Sequence, residues 1–316
     1  MITDSELNEV HRTAEAIFNE ISKRVVGKSE LINQVIICLF SEGNILMEGV
    51  PGIAKTLLAS TFASILGCDY KRIQFTPDLM PADITGTYIY NQKTGEFELK
   101  KGPVFANIVL VDEINRASAK SQSALLECMG EKQVSLEGTT LQMKKPFMVI
   151  ATQNPIEHEG TYSLPESQTD RFMFKVDMNQ PDEFEEFDIL ILKNNLILDE
   201  TIQVSTPDKI LAIIDSVKKV HVSEKVMQYI TNLTISTRKH DDILLGASPR
   251  ASIALLNGSK ALAAIKGRSY VIPDDVKYLV PIVLKHRLIL TPDSEFSGLT
   301  VDEIINNSIL NQVEII

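Results

Sequence analysis

Tryptophan is absent, and aromatic residues make up only 6% of the 316 residues. Proteins that grip single-stranded nucleic acid stack its bases on aromatic platforms, so this scarcity argues against that role. Positive charge is also short. Lys and Arg number 31 against 42 Asp and Glu, which leaves a net charge of −11. Basic pairs occur at Lys100-Lys101 and Lys144-Lys145, without a basic stripe or interleaved aromatics. A nucleic-acid surface clusters its Lys and Arg, so nucleic acid is not an expected partner. The three cysteines, Cys38, Cys68 and Cys128, have no metal-ligand spacing, and no two of the five histidines sit at helical ligand spacing. The cysteines read as small buried hydrophobes in a reducing compartment. No apolar run approaches the ~20 residues that span a bilayer. The start, Met1 to Glu6, is polar and amphipathic, unlike a signal peptide. These absences lead to the expectation of a cytoplasmic chain without membrane insertion.

What is present is more specific. Apolar residues make up 44% of the chain, and 316 residues suggest about two domains at ~150 residues each. Gly49 to Thr56 reads GVPGIAKT, after the apolar run Asn44 to Met47 and before a helix-spaced segment from Leu57 to Ala63. Strand, glycine-containing loop, Lys-Thr and helix is the order that wraps a phosphate chain. Loop amides and a helix N-terminus face the anion. Lys55 supplies a mobile charge for the outer phosphates, and the Thr56 hydroxyl is a hard oxygen ligand suited to Mg²⁺. Gly52, Ile53, Ala54, Lys55, Thr56 and Leu57 are the expected phosphate-contacting residues. The usual pattern has Gly where this chain has Ala54; a methyl group is tolerated there at negative φ, since only positive φ asks for glycine. Taken alone, the motif also fits a Gly-Pro turn before a core helix.

Ile108 to Val111 is an unbroken apolar run ending in Asp112-Glu113. It reads as a strand buried on both faces of a parallel sheet, with two acids at the end where such sheets bind ligands. Asp112 suits Mg²⁺, and Glu113 suits polarising an attacking water. The plain alternative is a strand followed by a solvated acidic turn. A third strand, Phe147 to Thr152, leads to Gln153-Asn154-Pro155. Asn154 there either orients a water beside Glu113 or caps the Asn-Pro turn.

Apolar spacing at Leu7, Val10, Ala14, Ile17, Phe18 and Ile21 predicts a helix over 5–22, and a second helix runs from Ser29 to about Glu42. The turn between them, with Val26 and Gly27, is placed to contact adenine or simply to join two helices. Lys71 to Phe75 reads as a strand, Pro77 to Gly86 as an irregular excursion, and Tyr88 to Leu99 as a hairpin. Ser118 to Glu131 reads as a helix, and Val134 to Met143 as a second hairpin around Glu137-Gly138. The loop from Pro155 to Pro165 is polar, with His158 solvated. Beyond Asn179-Gln180-Pro181 an acidic stretch begins and strands become scarce. Helices are expected over 207–220, 223–239, 249–266 and 273–288, several opening with Pro or Ser, with another in the tail. The expected fold is an α/β P-loop nucleotide-binding domain, residues 1–180, followed by a smaller all-α domain, residues 181–316.

Several strings together resemble one family. They are GVPGIAKT at 49–56, QFTPDLMPADITG at 74–86, GPVFANIVLVDEINRA at 102–117, ATQNPIEHEGTYSLPESQTDRF at 151–172 and GASPRA at 246–251. The chain resembles MoxR-type AAA+ ATPases, and the excursion with its hairpin resembles the helix-2 insert of a clade that includes magnesium chelatases and replicative MCM helicases. The resemblance implies a Walker A pair at Lys55 and Thr56, a Walker B pair at Asp112 and Glu113, and sensor 1 at Asn154. It implies an arginine finger at Arg171, reaching a neighbouring subunit's γ-phosphate, and a sensor 2 arginine at Arg250 in the lid, with ATP between the two domains. A permanently charged guanidinium suits stabilising a transferring phosphoryl group; without the resemblance both arginines read as surface ion-pair residues. Glu113, Asn154 and Arg171 are then the catalytic set, and Thr56 and Asp112 the metal set. ATP or ADP and Mg²⁺ are the implied ligands. The resemblance also implies rings, commonly hexamers, that remodel or mature a protein partner, including proteins with a von Willebrand factor A domain. A magnesium-chelatase-like motor and a DNA-stimulated MCM-like ATPase are the alternative readings, and a slow nucleotide switch is a third.

Overall fold

A computed structural model describes residues 1–50, 54–154, 164–194 and 201–313. The chain opens with helix α1 (Asp4–Ser22), started by a capping box in which Thr3 and Glu6 exchange side-chain and backbone bonds. Its buried stripe includes Leu7, Val10, Ala14, Ile17 and Ile21, the spacing that lays one helix face on a core. Helix α2 (Ser29–Phe40) is apolar nearly all round and buried from Leu31 onward except at Asn33.

Strand β1 (Ile45–Glu48) and helix α3 (Lys55–Ile65) flank residues 49–54. Strand β2 (Tyr70–Gln74) follows. The stretch expected to be irregular contains a short helix, α4 (Pro81–Thr85), because Pro81 presets its first turn and Asp83 bonds the Met80 amide. A hairpin of β3 (Gly86–Asn91) and β4 (Glu96–Lys101) precedes β5 (Ile108–Asp112) and α5 (Ala119–Glu131). The second hairpin, β6 (Gln133–Leu136) and β7 (Thr139–Gln142), turns at Glu137-Gly138. Both turn residues have positive φ, 46° and 83°, as a type I′ hairpin turn requires. Strand β8 (Met148–Gln153), helix α6 (Glu166–Thr169) and strand β9 (Phe174–Asp177) complete the α/β part.

The five-stranded sheet has the order β2-β5-β8-β1-β9, and all its pairings are parallel. β1 sits between β8 and β9, whereas the chain next adds β2 at the far edge. The C-terminal ends of β1, β5 and β8 therefore lie on one edge, where a crevice opens in sheets of this kind. β9 was absent from the sequence expectations. It is an edge strand whose Phe174 and Val176 are buried while Lys175 and Asp177 are not, a short alternation rather than a continuous apolar run.

Helix α7 (Glu183–Asn194) lies in the acidic stretch and buries none of its residues. The helices that follow are α8 (Pro207–Lys218), α9 (Glu224–Lys239), α10 (Pro249–Ile265) and α11 (Pro273–Leu284). Thr206, Ser223 and Ser248 cap three of them through side-chain oxygens. A small ribbon of β10 (Ile243–Leu245) and β11 (Ile289–Leu290) and helix α12 (Pro292–Phe296) follow. Helix α13 (Val301–Ile304) continues through a π turn to Gln312. One apolar core runs from Ile2 to Ile309 and joins α1, α2 and α3 to the later helices, while a second fills the other sheet face around Phe75, Val109 and Phe172. Among the described residues, no helix is long and apolar enough to cross a membrane.

Candidate active site

Gly49, Ala54, Lys55, Thr56, Asp112, Glu113, Thr152 and Asn154 line one pocket of ≈ 200 Å³ at the C-terminal edge of the sheet. It forms because β1, β5 and β8 are neighbours and each ends in a polar or turn residue. Lys55 begins α3 and donates from Nζ to the Gly49 carbonyl at 2.5 Å. Burial pulls its pKa down, while the carboxylates of Asp112, Glu113 and Glu48 oppose that shift. Asp112 is buried at the end of β5 and accepts from the Thr152 hydroxyl at 3.3 Å. Thr152 Oγ1 in turn accepts the Glu113 amide at 2.9 Å. Glu113 has left-handed backbone, φ 56° and ψ 53°, a conformation that L-residues adopt at functional sites at a cost of ~1–3 kcal/mol. Asn154 is buried just past β8, within the same pocket.

Two side chains of β2 complete this pocket, and sequence reasoning missed both. Arg72 Nε donates to Asp112 Oδ2 at 2.6 Å, and Gln74 Nε2 donates to Glu113 Oε2 at 2.7 Å. Arg116 Nη1 also reaches Glu113 Oε2, at 2.9 Å. Arg72 and Gln74 are two apart on a strand, hence on one face. That signal was legible; the pairing of β2 with β5 was not.

Arg171 and Arg250 lie elsewhere. They line a cleft of ≈ 280 Å³ with Glu42, Lys132, Asn257 and Arg287. Arg171 Nη1 donates to the Leu126 carbonyl at 2.9 Å. Arg250 starts α10 and pairs with Asp170 at 3.3 Å. Arg250 is therefore not among the residues lining the pocket around Lys55. Ser248, the N-cap of α10, bonds the same Asp170 carboxylate at 2.9 Å. Gly27 lines a third cleft, ≈ 550 Å³, with Leu31, Met178 and Ile282. Lys28 pairs there with Glu185 of α7 at 3.0 Å. Val26 and Leu57 are half-buried beside these elements. Gly52, Ile53 and His158 fall outside the described residues.

The model of the ATPase family associated with various cellular activities matches residues 44–174, and an AAA lid domain matches residues 235–308. Chaperone MoxR1 of Mycobacterium tuberculosis is 44% identical over 314 residues, covering 96% of this chain and 81% of MoxR1. The chain belongs to the MoxR family of AAA+ ATPases. YeaC of Bacillus subtilis is also 44% identical, over 94% of this chain and 93% of its own length. A crystal structure of a candidate ATPase from Cytophaga hutchinsonii is 42% identical, with a TM-score of 0.92 over 99% of this chain and 97% of that one.

In this MoxR-family chain the phosphate loop departs from expectation at Ala54, whose φ is 62° and ψ 18° rather than negative. Ala54 is the N-cap of α3, so the helix opens from a left-handed L-residue. A left-handed L-residue costs ~1–2 kcal/mol, partly offset by the greater freedom glycine has when unfolded. Ala54→Gly is therefore expected to stabilise the nucleotide-free protein by up to about 1 kcal/mol. Thermal melting without nucleotide reads this directly, and a lowered midpoint would contradict the strain.

His286 lies close to the arginine cleft. Its Nε2 is 3.1 Å from the Phe172 carbonyl and 2.8 Å from Arg287 Nη1. Its Nδ1 is enclosed and has no hydrogen-bond partner among the described residues. Burial, and then the adjacent Arg287 charge, hold its pKa well below the ordinary 6.5. The unfolded chain thus takes up this proton first. Stability contributed by neutral His286 is complete above the unfolded value and falls as pH drops below it, by up to about 1.4 kcal/mol per pH unit. Between about pH 7.5 and 5.5 the wild-type melting midpoint should fall more steeply than that of His286→Gln. Parallel curves for the two proteins would rule this out.

Proposed function

We propose that this chain hydrolyses ATP with Mg²⁺ in a ring, and that turnover drives the remodelling or maturation of a protein partner. The observation that carries the reading is the gathering of Lys55, Thr56, Asp112, Glu113 and Asn154 around one small polar pocket. Lys55 neutralises the outer phosphates. The Thr56 hydroxyl and the Asp112 carboxylate are the oxygen donors that would hold Mg²⁺. Among the described residues no group of three or more His, Cys, Asp or Glu forms a metal cage. That fits an ion held by few protein oxygens together with phosphates and water. Bound there, Mg²⁺ neutralises charge on the phosphate oxygens. Glu113 takes the proton of the attacking water, and Asn154 orients that water.

No arginine of the Arg171 cleft lines this pocket. In the proposed ring, Arg171 and Arg250 serve the phosphates of the adjacent subunit; Arg72, which lines the pocket, is paired with Asp112, so the arginine that meets the transferring phosphoryl group comes from the neighbour. The base would lie in the cleft beside Val26 and Gly27. A partner with a von Willebrand factor A domain fits the reading, as does a hexameric ring in the cytoplasm.

The test is ATP turnover with Mg²⁺, with and without duplex and single-stranded DNA. Turnover that proceeds without DNA and is unchanged by it is the expected result. Turnover that depends on DNA would instead favour a DNA motor, against the net charge of −11.

A further inference from the structure

Arg287, just past α11, has a side chain that is only 2% exposed. Its guanidinium carries five N–H groups, and each has an acceptor. Nε donates to Asp170 Oδ1 at 2.8 Å. Nη2 donates to the carbonyls of Asp170 at 3.2 Å and Phe172 at 2.6 Å. Nη1 donates to the Met173 carbonyl at 3.2 Å and to that of Val283. Four of the five bonds grip residues 170–173, on both sides of Arg171. The Asp170 carboxylate is held further by Ser248 and Arg250 at the start of α10.

We propose that Arg287 is a positioning residue for Arg171: the lid grips the backbone on either side of that arginine and thereby sets where its guanidinium meets the neighbouring subunit's phosphates. The inference rests on the reading that Arg171 acts across a subunit interface. A buried charge bonded through every N–H is fixed in place, because moving it strands a charge and several carbonyls together. The planar fork also makes the grip specific to arginine. Lysine keeps the charge for Asp170 but offers three donors on a flexible stem. Misplacing a reacting group by about 1 Å lowers a rate by up to about 100-fold.

Mixed rings test this. Arg287→Lys is expected to lower ATP turnover between about 10- and 100-fold, with fluorescent-ADP affinity within about twofold of wild type and Mg²⁺ present. Asp170→Asn, which keeps the side-chain shape and weakens the same grip, should behave likewise, and it substitutes if Arg287→Lys fails to melt cooperatively. Each variant is then mixed in equal parts with Glu113→Gln, which lacks turnover but donates a normal Arg171. The mixture should exceed the mean of the two separate activities, because sound sites now stand beside sound arginines. Arg171→Ala mixed with Glu113→Gln is the control. If the control recovers and the Arg287→Lys and Asp170→Asn mixtures do not, Arg287 is structural only and the proposal is wrong. Unchanged turnover in Arg287→Lys and Asp170→Asn would overturn it as well. If the control itself does not recover, the interface reading falls and this inference falls with it.

Discussion

Glu113→Gln is expected to leave ATP binding intact and to reduce turnover by about 100-fold or more, within the range assigned to a positioned general base. The side chain keeps its length, so the Gln74 and Arg116 contacts can be rebuilt around an amide. What is lost is the carboxylate that accepts a proton from water. The Glu113 amide is fixed to Thr152 at 2.9 Å, and its backbone is left-handed at φ 56°, so the residue cannot simply swing aside. The measurement is phosphate release in parallel with equilibrium binding of fluorescent ATP. Wild-type turnover in the variant would remove Glu113 from its role. Lost binding would show that the charge serves the pocket's structure rather than the reaction.

Arg171→Ala is expected to lower turnover by about 1,000-fold or more, the scale on which a trans-acting arginine works. ADP affinity should not change, because the residue does not line its own chain's phosphate pocket. The substitution removes one hydrogen bond, to the Leu126 carbonyl, from the side of a cleft. A stability loss of about 1.5–3 kcal/mol is the most that a hydrogen bond from a charged group supports. A large rate loss with unchanged ADP binding and near-native melting therefore separates a catalytic arginine from a structural one. Weakened ADP binding at unchanged turnover would show that Arg171 serves its own nucleotide instead.

The legible parts of the fold share a physical property. β1, β5 and β8 are apolar along nearly their whole length because both sheet faces are covered, so they stand out as runs. The acids at the end of β5 and Asn154 past β8 are legible for the same reason: each lies in the short polar stretch that ends such a run. β9 was not, because an edge strand alternates Phe174 and Val176 with Lys175 and Asp177 and resembles a loop exit. α7 was not, because its apolar residues Phe184, Phe187 and Leu190 remain exposed and are separated by acids.

The site divides in the same way. Lys55, Thr56 and the two acids sit beside local signals, whereas Arg72 and Gln74 matter only once β2 is known to pair with β5. Arg287 is bonded mainly to backbone carbonyls, which carry no side-chain signature at all. Arg171 and Arg250 were singled out by family resemblance alone, and their shared cleft comes from Ser248 and Asp170 meeting across the fold. Ala54 marks the limit of a residue-type rule. A left-handed step is usually given to glycine, and this loop makes it with alanine.

The measurement that bears most directly on the account is specific ATP turnover across a wide range of protein concentrations, with Mg²⁺ and with molar mass followed by light scattering. The account predicts turnover per chain that rises together with a ring-sized species, because each phosphate pocket is completed by its neighbour's Arg171. Full turnover in a monomer, constant at every concentration, would contradict it.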